Sequence, residues 1–200
     1  MKIFRMHIVR FRDIACSYVF LYRNRYRVDT LRKPGWDYAQ PGSYFVTVCT
    51  RNRIPWFGAI RNGIMGLSDT GCIVADEIQR TPVVRPRVDI DRWIVMPNHV
   101  HMILHLQWDD VNTVEASRRD ASTDVARVIP LFRPRPRSLG SIIQQWKCMC
   151  TKRIRAMGHP DFSWQPLFYD HIVHNDSALD AIRTYVEMNP TMWNRDRNHA

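Results

Sequence analysis

The sequence predicts an α+β fold in which strands and helices follow the order β-α-β-β-α-β, with one more helix at the C-terminal end. Three observations carry this expectation. Stretches rich in β-branched and aromatic residues, or with apolar residues at every second position, fall near residues 44–49, 88–96, 99–106 and 164–173. Stretches with helical spacing separate the first from the second and the third from the fourth, and another follows the fourth. No internal repeat is visible. At 200 residues the chain suits one domain with appendages. It is long enough to bury roughly 70% of its unfolded surface, so it needs no disulfide or metal to fold.

The elements follow in order. Residues 1–30 form a basic extension carrying Arg23, Arg25 and Arg27, and Arg32 and Lys33 lead into Pro34-Gly35. A single domain is expected over 31–200. Tyr44-Phe45-Val46-Thr47-Val48-Cys49 follows the turn signal Pro41-Gly42 and reads as the first strand. Ser68 is the expected N-cap of a helix, with Leu67 stapling onto Cys72, and that helix should stop near Arg80 because Pro82 follows. Val88, Ile90, Ile94 and Met96 are expected on one face of a second strand, which Pro97-Asn98 breaks before a third strand at His99. Residues 108–137 lack periodicity and read as a flexible insertion ending in Arg133-Pro134-Arg135-Pro136-Arg137. Ser138 caps the longest helix, whose apolar stripe runs through Ile142, Ile143, Trp146, Met149, Cys150, Ile154 and Met157 to a stop at Gly158. Its other side carries Lys147, Lys152 and Arg155. Trp164 to Val173 reads as a fourth strand, and Asn175-Asp176 opens a last helix with Leu179, Ile182 and Val186 inward. This is the ferredoxin-like, or RRM-like, split βαβ order.

Composition narrows the function classes. Apolar residues at 45% and charged residues at 24% exclude wholesale disorder. Basic residues exceed acidic ones by 29 to 19, a net charge of +10, and all but four of the 29 are arginine. Guanidinium forks match phosphate oxygens, so nucleic acid leads the partner classes. The plainer reading is an arginine-rich codon bias on a solvated surface. Five cysteines (Cys16, Cys49, Cys72, Cys148, Cys150) form no spaced framework and no C-x-x-C pair, which suits a reducing cytosol and argues against a thiolate zinc site. The N-terminal apolar run, residues 14–22, is shorter than the roughly 18 residues of a membrane span. The expectation is a soluble cytoplasmic protein with no membrane partner.

His99-Val100-His101 is the most informative triplet. Val100, Met102, Leu104 and Leu106 share one strand face and form its apolar side. His99, His101, Ile103 and His105 share the other, so the first two imidazoles are neighbours able to chelate one divalent ion. Alternatively they are surface histidines on an edge strand. Tyr185 and Asn189, four apart, share one face of the last helix. They could offer a phenol nucleophile and a third, amide-oxygen ligand; alternatively Tyr185 is a half-buried core tyrosine and Asn189 ends the helix before Pro190.

Met96-Pro97-Asn98-His99-Val100-His101 resembles the motif of HUH single-tyrosine transposases, and more closely their REP-associated branch. The likeness extends to Gly35-Trp36-Asp37-Tyr38 through Tyr44-Phe45-Val46-Thr47, to Leu67-Ser68-Asp69-Thr70-Gly71, to Trp164-Gln165-Pro166 with Phe168-Tyr169-Asp170-His171, and to Tyr185-Val186-Glu187-Met188-Asn189-Pro190. It covers about residues 30–195. The resemblance implies metal-dependent cleavage and joining of single-stranded or hairpin DNA through a 5′-phosphotyrosine. Tyr185 would be the nucleophile, and His99, His101 and Asn189 the ligands of Mg²⁺ or Mn²⁺. It implies a bacterial, nucleoid-associated setting and favours a monomer over a homodimer. Tyr169 is a rival nucleophile. His171 matches a family histidine, and His105 is a neighbour outside the motif. Arg23, Arg25, Arg27, Arg32, Lys33, Lys147, Lys152 and Arg155 are the expected phosphate contacts. The alternative class is a catalytically silent ferredoxin-like nucleic-acid binder.

Overall fold

A computed structural model describes residues 20–22, 25–27, 32–107, 137–196 and 198. The expected insertion at 108–137 therefore lies almost wholly outside the described residues, as does most of the basic extension. The chain divides into two units, Met1–Pro34 and Gly35–Ala200. In the first, β1 (Phe20–Tyr22) pairs antiparallel with β2 (Arg25–Arg27).

In the second unit, β3 (Gly42–Cys49), β6 (Val88–Val95), β7 (His99–Leu106) and β8 (Tyr169–Val173) form an antiparallel sheet in the order β6-β7-β3-β8. That order, with the first and third strands adjacent in the middle, is the expected split βαβ arrangement. Helices α1 (Asp69–Val84) and α2 (Leu139–Ala156) cover the face formed by Val100, Met102, Leu104 and Leu106. Helix α3 (Asp176–Met188) covers the opposite face, where Ile182 and Val186 meet Phe45 and Ile103. Each fully buried aliphatic side chain in these layers contributes on the order of 1.5–3 kcal/mol. Side-chain caps begin all three helices: Ser68 accepts from the Gly71 amide at 3.2 Å, Ser138 from Ser141 at 3.3 Å and Asn175 from Ala178 at 2.8 Å.

Four local expectations are corrected. Helix α1 continues through Pro82 to Val84. Proline removes one donor within a single turn of the helix end, while Ile78 and Thr81 stay buried and the Thr81 hydroxyl donates to the Glu77 carbonyl at 2.8 Å. Leu67 and Cys72 are both exposed, so no buried staple precedes α1. The stripe of α2 is narrower than expected, with Met149 and Met157 exposed. The fourth strand is shorter: Trp164 makes only an isolated bridge to Thr50, and pairing resumes at Tyr169.

Two further features redirect the chain. A hairpin of β4 (Gly58–Arg61) and β5 (Ile64–Leu67) stands between β3 and α1. Its Asn62-Gly63 turn has φ of 51° and 73°, the left-handed pair that such a dipeptide adopts most easily. Gly58 is required, because a Cβ there would lie 2.0 Å from the Gly66 carbonyl oxygen. In β6 the register shifts between Ile90 and Trp93. Trp93 and Val95 consequently join Val88 and Ile90 on the core side, and Ile94 passes to the histidine side. The expected placement of Ile94 on the face of Val88 and Ile90 fails at this bulge.

Lys147 is spent inside the fold. Its ammonium donates to the Gln165 carbonyl and to that of Pro166 at 3.4 Å, and the Trp164 indole donates to the Lys147 carbonyl at 3.2 Å. Burial pulls the ammonium down from 10.5 to about 8, with Cys49 opposing the shift. Between those values the unfolded chain binds more protons than the folded one, so the Lys147 contribution to stability rises with pH across about pH 8 to 10.5. Urea midpoints measured over that window should climb in the parent relative to Lys147→Met, and parallel curves would contradict the burial of this ammonium.

Candidate active site

Strand pairing sets the site. Cys49 stands opposite His99 and Thr47 opposite His101, so these four side chains share the face under α3. His99 is 0% and His101 1% exposed, which rules out a pair of surface histidines. Their Nε2 atoms are 3.0 Å apart. Two ligands in adjacent octahedral positions, about 2.1 Å from an ion, are separated by about 3 Å. The spacing of the pair is one that two ligands of a single divalent ion could have.

Both rings are held from behind. His101 Nδ1 lies 2.9 Å from Thr47 Oγ1, and His99 Nδ1 lies 2.8 Å from Asn98 Oδ1. Asn98 fixes a tautomer. Its Nδ2 donates to the carbonyls of Arg53 at 3.1 Å and Asn198 at 2.8 Å, so its Oδ1 must be the atom facing His99. An oxygen there accepts, so His99 Nδ1 carries the proton and Nε2 carries a lone pair. That lone pair lies 3.0 Å from His101 Nε2, where it can accept a hydrogen from that nitrogen or share a cation with it. The Thr47 hydroxyl can donate or accept, so His101 suits either occupant. Phe45 stacks on His101 with centroids 5.3 Å apart, and Trp193 stacks on His99 at 5.9 Å.

Helix α3 brings the phenol. Tyr185 Oη lies 3.4 Å from His101 Nε2, and its ring meets the rings of His101 and Phe45 edge-on. At 45% exposure the residue is open to solvent, unlike a core tyrosine. The bulge in β6 anchors the helix: Arg183 Nε donates to Asp91 Oδ2 at 2.7 Å, and Arg92 Nε donates to Glu187 Oε1 at 3.0 Å. Asn189, one turn beyond Tyr185, is 2% exposed, and its Oδ1 has no hydrogen-bond partner. An orphaned buried amide oxygen suits a hard cation.

Asp196 was not foreseen. Its side chain is 2% exposed, its Oδ2 lies 3.9 Å from His99 Nε2, and His99, His101 and Asp196 can approach one ion together. Asn98, Thr47 and Trp193 also escaped notice. Asn98 reads in the sequence as a strand breaker, whereas Asp196 stands between Arg195 and Arg197 with no motif to mark it.

The neighbours separate. Tyr169 pairs with Thr47 and His171 with Phe45, which puts both on the histidine face but two strands from β7. Burial and then the nearby His174 lower the His171 pKa, with Asp170 opposing. His105 is tied to Ser43 Oγ at 2.7 Å and lies 3.7 Å from Asp91. Lys152 and Arg155 are exposed on α2, across the sheet from the histidines, and Arg155 donates to the Phe162 carbonyl at 3.2 and 3.1 Å. Arg23 lies outside the described residues, while Arg25, Arg27, Arg32 and Lys33 belong to the first unit.

No family model matches the chain. An uncharacterized protein of Haemophilus influenzae is 29% identical over 168 residues, covering 84% of this chain and 91% of that protein. Among solved structures, a REP-associated tyrosine transposase bound to a REP hairpin aligns with a TM-score of 0.50 and 22% identity, over 83% of this chain and 74% of that one. A provisionally assigned transposase of Deinococcus radiodurans R1 aligns more loosely, with a TM-score of 0.42 and 13% identity over 78% and 96% of the two chains. No helix among the described residues is long and apolar enough to cross a membrane. The chain thus shares its α+β fold with a REP-associated tyrosine transposase.

Proposed function

We propose that the chain is a transposase-type enzyme that cleaves and rejoins single-stranded or hairpin DNA through a 5′-phosphotyrosine at Tyr185. The observation that carries this reading is the line of three atoms, Tyr185 Oη, His101 Nε2 and His99 Nε2, with successive separations of 3.4 and 3.0 Å. A structure of similar fold was solved with a REP hairpin, and the net charge of +10 favours a polyanion, which together support DNA as the substrate class.

His99, His101 and Asn189 are the proposed ligands of Mg²⁺ or Mn²⁺, with the Asp196 carboxylate as a fourth. When bound, the ion supplies Lewis-acid polarisation of the scissile phosphate. Asn98 and Thr47 hold the two imidazoles with Nε2 directed inward. Tyr185 gives up its phenolic proton to solvent, to which its half-exposed ring is open. Its oxygen bonds to phosphorus as the P–O3′ bond breaks, and the departing oxygen takes a proton to become a free 3′-OH. Attack by a 3′-OH on the phosphotyrosine reverses these changes and rejoins a strand. The bond count is conserved at each step, so no nucleotide cofactor is required.

Incubation with labelled single-stranded hairpin DNA and Mn²⁺ should give a covalent protein–DNA adduct on denaturing gels. Tyr185→Phe should abolish it and Tyr169→Phe should retain it. Binding without an adduct at any divalent ion would favour the silent binder, and the opposite dependence on the two tyrosines would move the nucleophile to Tyr169. For Asn98→Ala, Mn²⁺ affinity read by electron paramagnetic resonance should fall by roughly 10- to 100-fold, as is usual when the group orienting a ligand is removed. Unchanged affinity would refute the orienting role.

A further inference from the structure

Resting on the DNA-processing reading above, we propose that the turn Arg51–Arg53 and the β4–β5 hairpin form the surface that grips single-stranded DNA next to the His99–Tyr185 centre. The chain has no acidic residue between Asp37 and Asp69, although an even spread of its 19 acids over 200 residues would put about three there. The same stretch carries Arg51, Arg53 and Arg61. Four arginines elsewhere in this unit are paired with carboxylates: Arg80 and Arg153 with Asp76 and Glu77, Arg92 with Asp91 and Glu187, and Arg183 with Asp91 and Asp180. Arg51 and Arg61 are exposed and lie in no ion pair among the described residues.

Two hydrogen bonds tie this surface to the residues just before His99, and a third approach brings it to the chain just beyond α3. The Arg53 carbonyl accepts from Asn98 Nδ2 at 3.1 Å, the residue that also orients His99. The Phe57 amide, at the base of the hairpin, donates to the Pro97 carbonyl at 2.9 Å. At the tip, a Cβ on Gly63 would lie 3.3 Å from Thr191, two residues beyond Asn189. Asn52 and Arg53 both hold φ of 55°, a conformation that costs energy in non-glycine residues and persists only where the surroundings enforce it. Beside the arginines, Ile54 is 46% and Ile64 72% exposed, apolar surface of the kind that unpaired bases cover and a duplex backbone does not. Guanidinium groups for phosphates and aliphatic faces for bases together fit a single strand.

The test is fluorescence anisotropy of a labelled single-stranded oligonucleotide against salt, with divalent ions chelated so that no cleavage occurs. The double variant Arg51→Gln/Arg61→Gln should bind roughly tenfold more weakly near 0.1 M salt, and the slope of log affinity against log salt should shrink by about 1.4. Both residues are exposed, so the thermal midpoint should match the parent. Arg80→Gln, which removes one charge near the C-terminal end of α1, away from the hairpin that precedes its N-terminus, should change neither quantity. An unchanged slope in the double variant, or an equal loss in Arg80→Gln, overturns the proposal. Failure of the enzymatic reading is separable: a parent that forms no Tyr185 adduct while the slope falls as stated keeps the grip and loses the chemistry.

Discussion

Two buried imidazole nitrogens 3.0 Å apart are the constraint on which the rest of the site depends. Neither ring has water to turn to, and one of the two nitrogens is compelled by Asn98 to present a lone pair. Such a pair is stable with a proton or a cation shared between its members. Everything else around it is arranged to keep the rings where they are: Thr47 and Asn98 behind the Nδ1 atoms, Phe45 and Trp193 on the ring faces, Tyr185 at the open edge. A polar pair held this tightly inside an apolar layer costs folding free energy unless every hydrogen-bonding position is met. The unmet positions are therefore informative, and the Asn189 oxygen is one of them.

The sheet divides the labour between its faces. One carries the main core under α1 and α2, where ordinary aliphatic burial supplies stability. The other carries a much smaller apolar cluster of Phe45, Ile103, Ile182 and Val186 beside the histidines, so α3 cannot rely on hydrophobic area alone. Ion pairs at the β6 bulge supplement it. Asp91 and Arg92, the two residues left over by the register shift, are those that meet Arg183 and Glu187. A local irregularity in one strand thereby sets the position of the helix that carries Tyr185.

Charge follows the same division. Arg80 on α1, Arg153 on α2 and Arg92 on β6 are engaged by carboxylates, while Arg155 and Lys147 donate to backbone carbonyls. The excess of +10 consequently resides in other places than the sequence alone suggests, among them the acid-free segment that borders the histidines. Net charge predicts attraction to a polyanion; ion pairing decides where on the surface the attraction acts.

Much of the molecule was legible in the chain. Period-two alternation over 99–106 determined which side chains of β7 face α1 and α2 and which share the other side with the histidines, because a strand offers only two sides. Four-residue spacing determined that Tyr185 and Asn189 share a face of α3, and Ser68, Ser138 and Asn175 announced the helix starts. The Asn62-Gly63 turn was equally plain and passed unread, since the strands it joins are only four residues long and half exposed. Tertiary structure alone decided the rest. A bulge is a property of two strands together, so no pattern within β6 placed Ile94 on the histidine side. Asp196 reaches His99 from 97 residues away because the chain beyond α3 folds back across the sheet, and Asn98 becomes a positioning group only when Arg53 and Asn198 take up its amide hydrogens. Local spacing determines which face a side chain occupies; which distant atoms meet it there depends on how the layers close.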